Sequence, residues 1–256
     1  MKFDAFYAAL RRRGSGAFGT SISHGQFAGL QAILAEAEER ATGLQQLAYI
    51  FATTYHETAA TMQPIVERGN VAYFNKYNAG TKIGKMLGNI APGDGYRYRG
   101  RGFVQITGRR NYRVASAKVG VDLVEHPERA LELLIATRIL FDGMEEGWFT
   151  GKDLSDYIDT FDESDEEELR EFINARRIVN GTDKAERIGR YALAFEAALK
   201  EGEYGKADPS PAPPPPVPAE PVPVLPAIPE PPVAEPISTG FLTWLSRMLW
   251  GNVHAK

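Results

Sequence analysis

Two glutamates lie ten residues apart in this chain, Glu57 and Glu67. A pair of carboxyl groups can perform acid–base hydrolysis, in which one donates a proton to a leaving group and the other activates a water. Glu57 ends an apolar helical segment, where burial against Tyr55 would raise its pKa, as a general acid requires. Glu67 precedes Arg68, and a neighbouring arginine favours the ionised carboxylate that a base needs. The two glutamates are therefore candidate catalytic residues.

Each of these residues also has a purely structural interpretation. Glu57 could be an exposed residue at a helix C-terminus, although it would oppose the helix dipole there. Glu67 and Arg68 could form a surface ion pair, which contributes little stability. His56 either orients a neighbouring side chain by hydrogen bonding or is a structural histidine. The residue types alone leave these alternatives open.

The segment 99–107 carries the strongest local pattern, Arg-Gly-Arg-Gly-Phe-Val-Gln-Ile-Thr. Its two glycines allow tight turns and close approach of the backbone to a ligand. We predict a short strand in which Phe103, Gln105 and Thr107 share one side, while the residues between them pack inward. Gln105 and Thr107 would then offer hydrogen-bonding groups to a sugar and a water.

Several other chemistries lack their required residues. The segment 99–107 has no Gly-Lys-Ser/Thr and follows no apolar strand, which excludes a phosphate-binding loop. A zinc-protease helix needs a second histidine four residues after His56, where the chain has Ala60. With four histidines and no cysteine, we expect no metal site, no cofactor and no disulfide. A net charge of −4 does not predict nucleic-acid binding, and the arginines clustered over 97–113 offer local positive charge.

Hydrophobic periodicity predicts a mainly α fold (α+β), with a small irregular or β lobe. Between residues 62 and 111 the periodicity fails, and a long irregular region inside a compact domain is usually functional. Ser23, Ser164 and Thr182 are predicted helix caps. The predicted helices span 26–40, 44–58, 112–119, 127–146, 164–179 and 183–199.

The composition predicts three parts along the chain, a folded domain over 1–205, a linker over 206–236 and a short amphipathic helix over 237–256. Fourteen of the 17 prolines fall in the linker, which is typical of an extended spacer. The last segment is too short to span a bilayer and reads as an interfacial helix or a docking peptide. The N-terminal residues 1–16 lack an apolar signal region, so we expect synthesis in the cytoplasm.

Three motifs in order resemble the family 19 glycoside hydrolases, specifically their phage and bacterial endolysin branch. They are His56-Glu57-Thr58, the block Gly100–Thr107 with Asn111-Tyr112, and Arg176-Arg177-Ile178-Val179-Asn180-Gly181. The resemblance implies that Glu57 is the general acid, that Glu67 is the general base, and that Thr107 holds the attacking water. The substrate-binding residues that it implies are His56, Arg101, Gln105, Asn111, Tyr112 and Asn180.

The resemblance also implies a lysozyme-like fold in which the small lobe forms a cleft. It implies a glycosidase that cleaves glycan strands with inversion, for which the two carboxyl groups lie about 6.5–9.5 Å apart. The short glutamate spacing and the lack of cysteine differ from plant chitinases and favour peptidoglycan over chitin as the substrate. A chitinase, a lytic transglycosylase and a catalytically silent wall-binding or phage-particle component are the alternatives. Access to the wall would then need a holin or cell lysis, with membrane-surface contact by the C-terminal helix.

Overall fold

The computed structural model describes residues 1–159, 161 and 164–206, and the predicted linker and C-terminal helix from residue 207 onward lie outside them. The described part is mainly helical, with one small antiparallel sheet, as the sequence predicts. In chain order the elements are α1 (Phe3–Leu10), α2 (His24–Arg40), α3 (Leu44–Glu57), β1 (Ile65–Val66), α4 (Val71–Phe74), α5 (Lys82–Met86), α6 (Asp94–Arg97), β2 (Arg101–Gly102), α7 (Arg109–Val119), α8 (Leu133–Glu145), α9 (Asp165–Ala175) and α10 (Ala185–Glu201).

Helix α3 is the centre of the main core. Eight successive residues, 47–54, are fully buried, so the helix is enclosed on all faces rather than on the single apolar face that its sequence predicts. Helix α10 packs along it, and the rings of Phe51 and Phe195 stack with centroids 5.2 Å apart. This enclosure fixes the C-terminal end of α3, where Glu57 is the last helical residue.

Residues 62–108 contain more regular structure than predicted. Three helices of four or five residues, α4 to α6, connect the two strands. The side chains of Asn70 and Thr81 cap α4 and α5 by accepting hydrogen bonds from backbone amides. Helices this short do not show a periodic pattern, because one turn supplies too few residues to define a face.

The strand predicted around Phe103 is wrong. The strand β2 ends at Gly102, where φ is +89°, and residues 103–105 form a tight turn instead. The chain then returns so that Ile106 and Arg101 exchange backbone hydrogen bonds of 3.0 and 3.3 Å. Because the chain turns here, the predicted alternation of sides is also wrong, and Phe103 is fully buried in the main core.

Two of the predicted helix caps are confirmed and one is wrong. Ser23 and Ser164 each form a capping box at the start of α2 and α9. Helix α10 instead begins at Ala185, and the residue before it, Lys184, is in the left-handed region, so Thr182 is not its cap.

Two of the predicted long helices are interrupted. A 3-10 helix covers Pro127–Leu131, and the extended backbone at Glu132 separates it from α8. Helix α9 ends at Ala175 and continues as a 3-10 turn over Arg176–Ile178. Among the described residues, no helix is both long enough and apolar enough to cross a bilayer.

The loop 58–63, which connects the two glutamate-bearing elements, is held against α2. The Gln26 side chain donates to the Ala60 carbonyl at 2.8 Å, and the Gln63 side chain donates to the Gly25 carbonyl at 2.7 Å. Three residues of the loop adopt left-handed backbone, Ala59, Ala60 and Met62. Residues other than glycine adopt this conformation mainly where surrounding contacts stabilise it, so the contacts with α2 hold the loop in its conformation.

Two glycines of α2 provide a matched test of the packing between α2 and the loop. A Cβ on Gly29 would lie 1.8 Å from the Met62 carbonyl oxygen, whereas a Cβ on Gly25 would meet nothing nearer than Gln63 Cγ at 3.4 Å. We expect Gly29→Ala to lower the free energy of unfolding by about 1–3 kcal/mol, as overpacking does. Gly25→Ala should be neutral or stabilising, because alanine favours helix. Equal urea midpoints for the two variants would contradict the close approach.

Candidate active site

Glu57 forms an ion pair that its local sequence does not reveal. Its Oε1 lies 2.8 Å from Nη2 of Arg176, whose side chain is 1% exposed. Nε of Arg176 donates to the Asp183 carbonyl at 3.0 Å, which fixes the guanidinium. The Glu57 residue is 8% exposed, so this is a buried pair at the end of α3. The carboxyl group is therefore positioned by a residue 119 places further along the chain.

The apolar surroundings expected for Glu57 are only partly present. Tyr55, predicted to pack against it, instead donates its hydroxyl to the Ala17 carbonyl at 2.7 Å. The Tyr55 ring makes edge contacts with Phe18 and Tyr191, at centroid distances of 5.1 and 4.9 Å. Residues two apart lie on opposite sides of a helix, so Tyr55 contributes to the main core and not to the carboxyl site.

Glu67 follows β1 and is held by a reciprocal pair of backbone contacts. Its amide donates to the Gly100 carbonyl at 2.8 Å, and its Oε2 accepts from the Gly100 amide at 3.0 Å. These contacts extend the pairing of β1 with β2 by one residue. A Cβ on Gly100 would lie 3.2 Å from Glu67 Oε2 and 2.9 Å from the Gln105 side-chain oxygen. Glycine is thus required here for close approach.

Burial determines the protonation of Glu67. Desolvation raises the pKa of its carboxyl, while the Gly100 amide and the charges of Lys76 and Arg99 act in the opposite direction. Arg68, expected to keep Glu67 ionised, is exposed and forms no ion pair among the described residues. The expected cause was wrong, because burial and not a neighbouring arginine dominates.

The phenol of Tyr77 lies beside Glu67 and was not predicted from the sequence. Burial first, and then the charge of Glu67, raise the pKa of Tyr77, so its hydroxyl keeps its proton at any ordinary pH. Glu67 Oε1 is buried and accepts no hydrogen bond from the backbone of the described residues. One oxygen of Glu67 is therefore fixed by the backbone, and the other is not engaged by it.

Gln105 contacts Ile65, two residues before Glu67, and Thr107 contacts Gln105, through a turn and not through a strand. Gln105 has φ of +53°, and its amide nitrogen donates to the carbonyls of Ile65 and Gly102 at 2.8 and 2.9 Å. Thr107 is buried and donates its hydroxyl to the Gln105 carbonyl at 2.9 Å. Because its proton is used, the Thr107 hydroxyl can only accept a further hydrogen bond.

Arg101 and Tyr112 are part of the scaffold. Both are buried, and Nη1 of Arg101 donates to the Tyr112 hydroxyl at 2.8 Å and to the Arg97 carbonyl at 2.8 Å. The Tyr112 hydroxyl in turn donates to the Arg99 carbonyl at 2.8 Å. Tyr112 is fully buried, and the pair holds the backbone on either side of Gly100.

Asn111, His56 and Asn180 complete the predicted set. Asn111 is half-buried and donates to the Thr107 carbonyl at 2.8 Å. Burial lowers the pKa of His56, although the charge of Glu57 opposes this, so the imidazole is mainly neutral at pH 7. Asn180 is buried, and its amide donates to the Arg176 carbonyl at 2.9 Å.

The predicted residues thus fall into two groups. One group, Glu57, His56 and Asn180, gathers around Arg176, and the other, Glu67, Gln105, Thr107 and Asn111, gathers along the turn after β2. Arg176 belongs to the Arg-Arg-x-x-Asn-Gly motif, which was the available signal for it. No cluster of three or more histidine, cysteine, aspartate or glutamate side chains suited to a metal ion occurs in residues 1–159, 161 and 164–206.

The described domain, mainly helical with one small sheet, has a lysozyme-like fold. The sequence model for chitinase class I matches residues 16–152, more than half of the chain. The chain therefore belongs to glycoside hydrolase family 19. The match includes Glu57, Glu67 and Thr107, whereas Arg176 and Asn180 lie beyond it.

One solved structure of the family reaches a TM-score of 0.50 with this chain, and that likeness concerns the fold alone. Chitinase C from Streptomyces griseus HUT6037 is 17% identical, with a TM-score of 0.50, over 78% of this chain and 75% of that chain. A bacterial family 19 chitinase reported to differ from plant enzymes is 19% identical, with a TM-score of 0.44, over 78% and 93% of the two chains. No curated protein matches the sequence.

Proposed function

We propose that this family 19 glycosidase hydrolyses the glycan backbone of peptidoglycan with inversion, Glu57 acting as general acid and Glu67 as general base. The observation that carries the proposal is the pair of buried carboxyl groups, each held by its own partner, Arg176 for Glu57 and the Gly100 amide for Glu67. Separate supports allow the two groups to act on opposite faces of one sugar, as inversion requires.

The contacts of Glu67 suit a general base. Its Oε2 accepts a hydrogen bond from the Gly100 amide, which fixes the orientation of the carboxylate that takes a proton from water. Burial raises its pKa, which strengthens it as a base while the carboxylate remains the reactive form. The Thr107 hydroxyl, whose own proton is already donated, can accept the second proton of that water in a hydrogen bond.

We assign Glu57 as the general acid from the His56-Glu57-Thr58 motif, and its ion pair with Arg176 holds the carboxyl group in place. Its Oε1 is buried against Arg176, so the remaining exposure of the side chain lies on its other atoms. In the proposed step, protonated Glu57 gives its proton to the glycosidic oxygen as the bond to the anomeric carbon breaks. Water adds to that carbon from the opposite face and loses its proton to Glu67. The products are two glycan ends, one of them a reducing end, and no covalent intermediate forms.

Chitin is the second candidate substrate, because the matched family is described as chitinase class I. The short glutamate spacing and the lack of cysteine support the endolysin branch and hence peptidoglycan. Incubation of the purified protein with peptidoglycan and, separately, with chitin oligomers distinguishes the two. We expect hydrated muropeptides with new reducing ends in the mass spectrum. Cleavage of chitin alone would replace peptidoglycan as the substrate, and binding without cleavage would favour a silent wall-binding protein.

The raised pKa of Glu67 predicts the acid limb of the pH profile. A protonated Glu67 cannot accept a proton, so kcat/KM falls as the pH drops through its pKa, which lies above the ordinary glutamate value of about 4.3. Lys76→Met removes a charge that lowers this pKa and should move the limb to higher pH. Lys82→Met, an equal charge change on an exposed residue, should leave it in place. A wild-type limb at the ordinary value would contradict the role of burial.

The tail beyond residue 206 is proposed to serve access to the wall. Its apolar stripe, Phe241, Leu242, Trp244, Leu245, Met248 and Leu249, suits contact with a membrane surface. Release to the wall would then depend on a holin or on lysis. Deletion of residues 237–256 should reduce binding to liposomes while preserving hydrolysis of soluble glycan. Unchanged liposome binding and lysis timing after the deletion would refute this role.

A further inference from the structure

The segment 64–113, which carries Glu67, has a charge opposite to that of the whole chain. It contains ten basic and two acidic residues, while the rest of the chain holds 19 basic and 31 acidic residues. One side of the candidate site is therefore strongly positive on an acidic protein. Such a field attracts an anionic ligand and gives no advantage with a neutral one.

Two of these cations are held beside Glu67 by aromatic rings. Lys76 Nζ lies 3.6 Å from the ring centroid of Tyr73, and the Arg99 guanidinium carbon lies 4.0 Å from that of Tyr96. Neither has a carboxylate within 4 Å among the described residues. A ring face orients a cation without neutralising it, so both charges remain available to an incoming anion.

Other arginines of the same segment are used differently. Arg109 pairs with the buried Asp94 at 3.0 Å, and Arg97 pairs with Glu125 at 3.3 Å. Their charges are already balanced within the protein. Arg97 and Arg109 therefore differ from Lys76 and Arg99, which have no carboxylate partner among the described residues.

A third unpaired cation adjoins these two. Arg68 follows Glu67, and the pairing of Glu67 with Gly100 places it opposite Arg99 at the end of the two-stranded ladder. Arg68 is exposed and has no ion pair among the described residues. Lys76 and Arg99 are also near enough to lower the pKa of Glu67 by their charge. Three available cations therefore flank the proposed base.

We propose that Arg68, Lys76 and Arg99 form a subsite for the carboxylates of peptides attached to the glycan strand. The inference rests on the proposed function, since it specifies what the same site recognises beside the sugar. Guanidinium and ammonium groups form strong, charge-assisted hydrogen bonds with carboxylates. A neutral N-acetylglucosamine polymer offers no group to pair with them, so the subsite selects peptide-bearing glycan.

The test compares peptide-bearing glycan strands with amidase-treated strands, in which hydrolysis of the amide bond removes the peptide and leaves the lactyl carboxylate on the sugar. The two substrates therefore differ in the carboxylates of the peptide. The measured quantity is the ratio of kcat/KM on the two substrates, because any general effect on catalysis cancels in it. The triple variant Arg68→Gln, Lys76→Gln, Arg99→Gln should lower the preference for peptide-bearing strands by about tenfold, the factor of one charge-assisted contact. In the wild type the preference should shrink as ionic strength rises.

A matched control removes equal charge elsewhere on the segment. The control is the triple variant Lys82→Gln, Lys85→Gln, Arg113→Gln, which changes three exposed residues that form no ion pair in the described part of the chain. Dispersed surface charges contribute little, so this variant should keep the preference for peptide-bearing strands within about twofold of the wild type. An unchanged ratio in the first triple variant, or an equal loss in both variants, would overturn the subsite. The subsite would also be overturned if the preference depended on the phosphates of wall polymers and not on the peptides.

Binding separates this proposal from the proposed hydrolysis. Co-sedimentation of the Glu57→Gln protein with intact and amidase-treated sacculi measures the subsite without turnover. The wild type could fail to cleave while its binding depends on the peptides and on the three cations. That result would contradict the proposed hydrolysis and support the proposed subsite. If cleavage occurs but binding ignores the peptides, the subsite fails and hydrolysis stands.

Discussion

Glu57→Gln is expected to lower kcat on the glycan substrate by about 10²–10⁴-fold, the range that general acid catalysis supplies. Glutamine matches the size of glutamate and can accept a contact from Arg176, but it has no acidic proton to give the leaving oxygen. Circular dichroism should show an unchanged helical fold. Retained turnover in a folded variant would contradict the assignment.

The leaving group distinguishes the acid from the base. A substrate whose leaving group departs without protonation, such as a glycosyl fluoride, should bypass the loss in Glu57→Gln. Glu67→Gln should remain inactive on it, because water still has to be activated. Rescue of Glu67→Gln and not of Glu57→Gln by the activated substrate would exchange the two roles.

Arg176→Leu is expected to lower the free energy of unfolding by about 3–5 kcal/mol, because it leaves the buried Glu57 carboxylate without its partner. Leucine supplies apolar volume but cannot offset the desolvated charge. Chemical denaturation monitored by circular dichroism measures the loss. Adding Glu57→Gln to this variant should recover part of it, since the second change removes the unpaired charge.

A surface pair provides the control for Arg176. Arg190 lies 2.7 Å from Glu186 at one turn's spacing on α10, and both side chains are more than 60% exposed. Exposed ion pairs contribute little stability, so Arg190→Leu should barely change the midpoint of chemical denaturation. Equal losses in the free energy of unfolding for Arg176→Leu and Arg190→Leu would show that the ion pair with Glu57 contributes no more than a surface pair.

The sequence predicted the long elements well because their signals are local. The capping residues Ser23 and Ser164 mark two helix starts, and the apolar run before Glu57 marks the helix that ends there. Residues three and four apart define a helical face within a few turns, so no distant information is needed. Helices α4 to α6 were missed because each is only about one turn long.

The contacts that tune the site could not be predicted, because they join distant parts of the chain. Nothing near Glu57 indicates that Arg176 is its partner, and nothing near Glu67 indicates that burial outweighs the adjacent arginine. The turn at Gln105 was read as a strand, since its alternating apolar residues fit both. Gly102, with φ of +89°, was the local signal for the turn.

The anomeric configuration of the first product tests the two-carboxylate account most directly. Proton NMR during the first minutes of hydrolysis reads the configuration before the new reducing end equilibrates. We predict the anomer opposite to that of the bond cleaved, because water activated by Glu67 attacks the face away from Glu57. A product that retains the original configuration, or a 1,6-anhydro sugar, would contradict inversion and remove Glu67 from its role as the base.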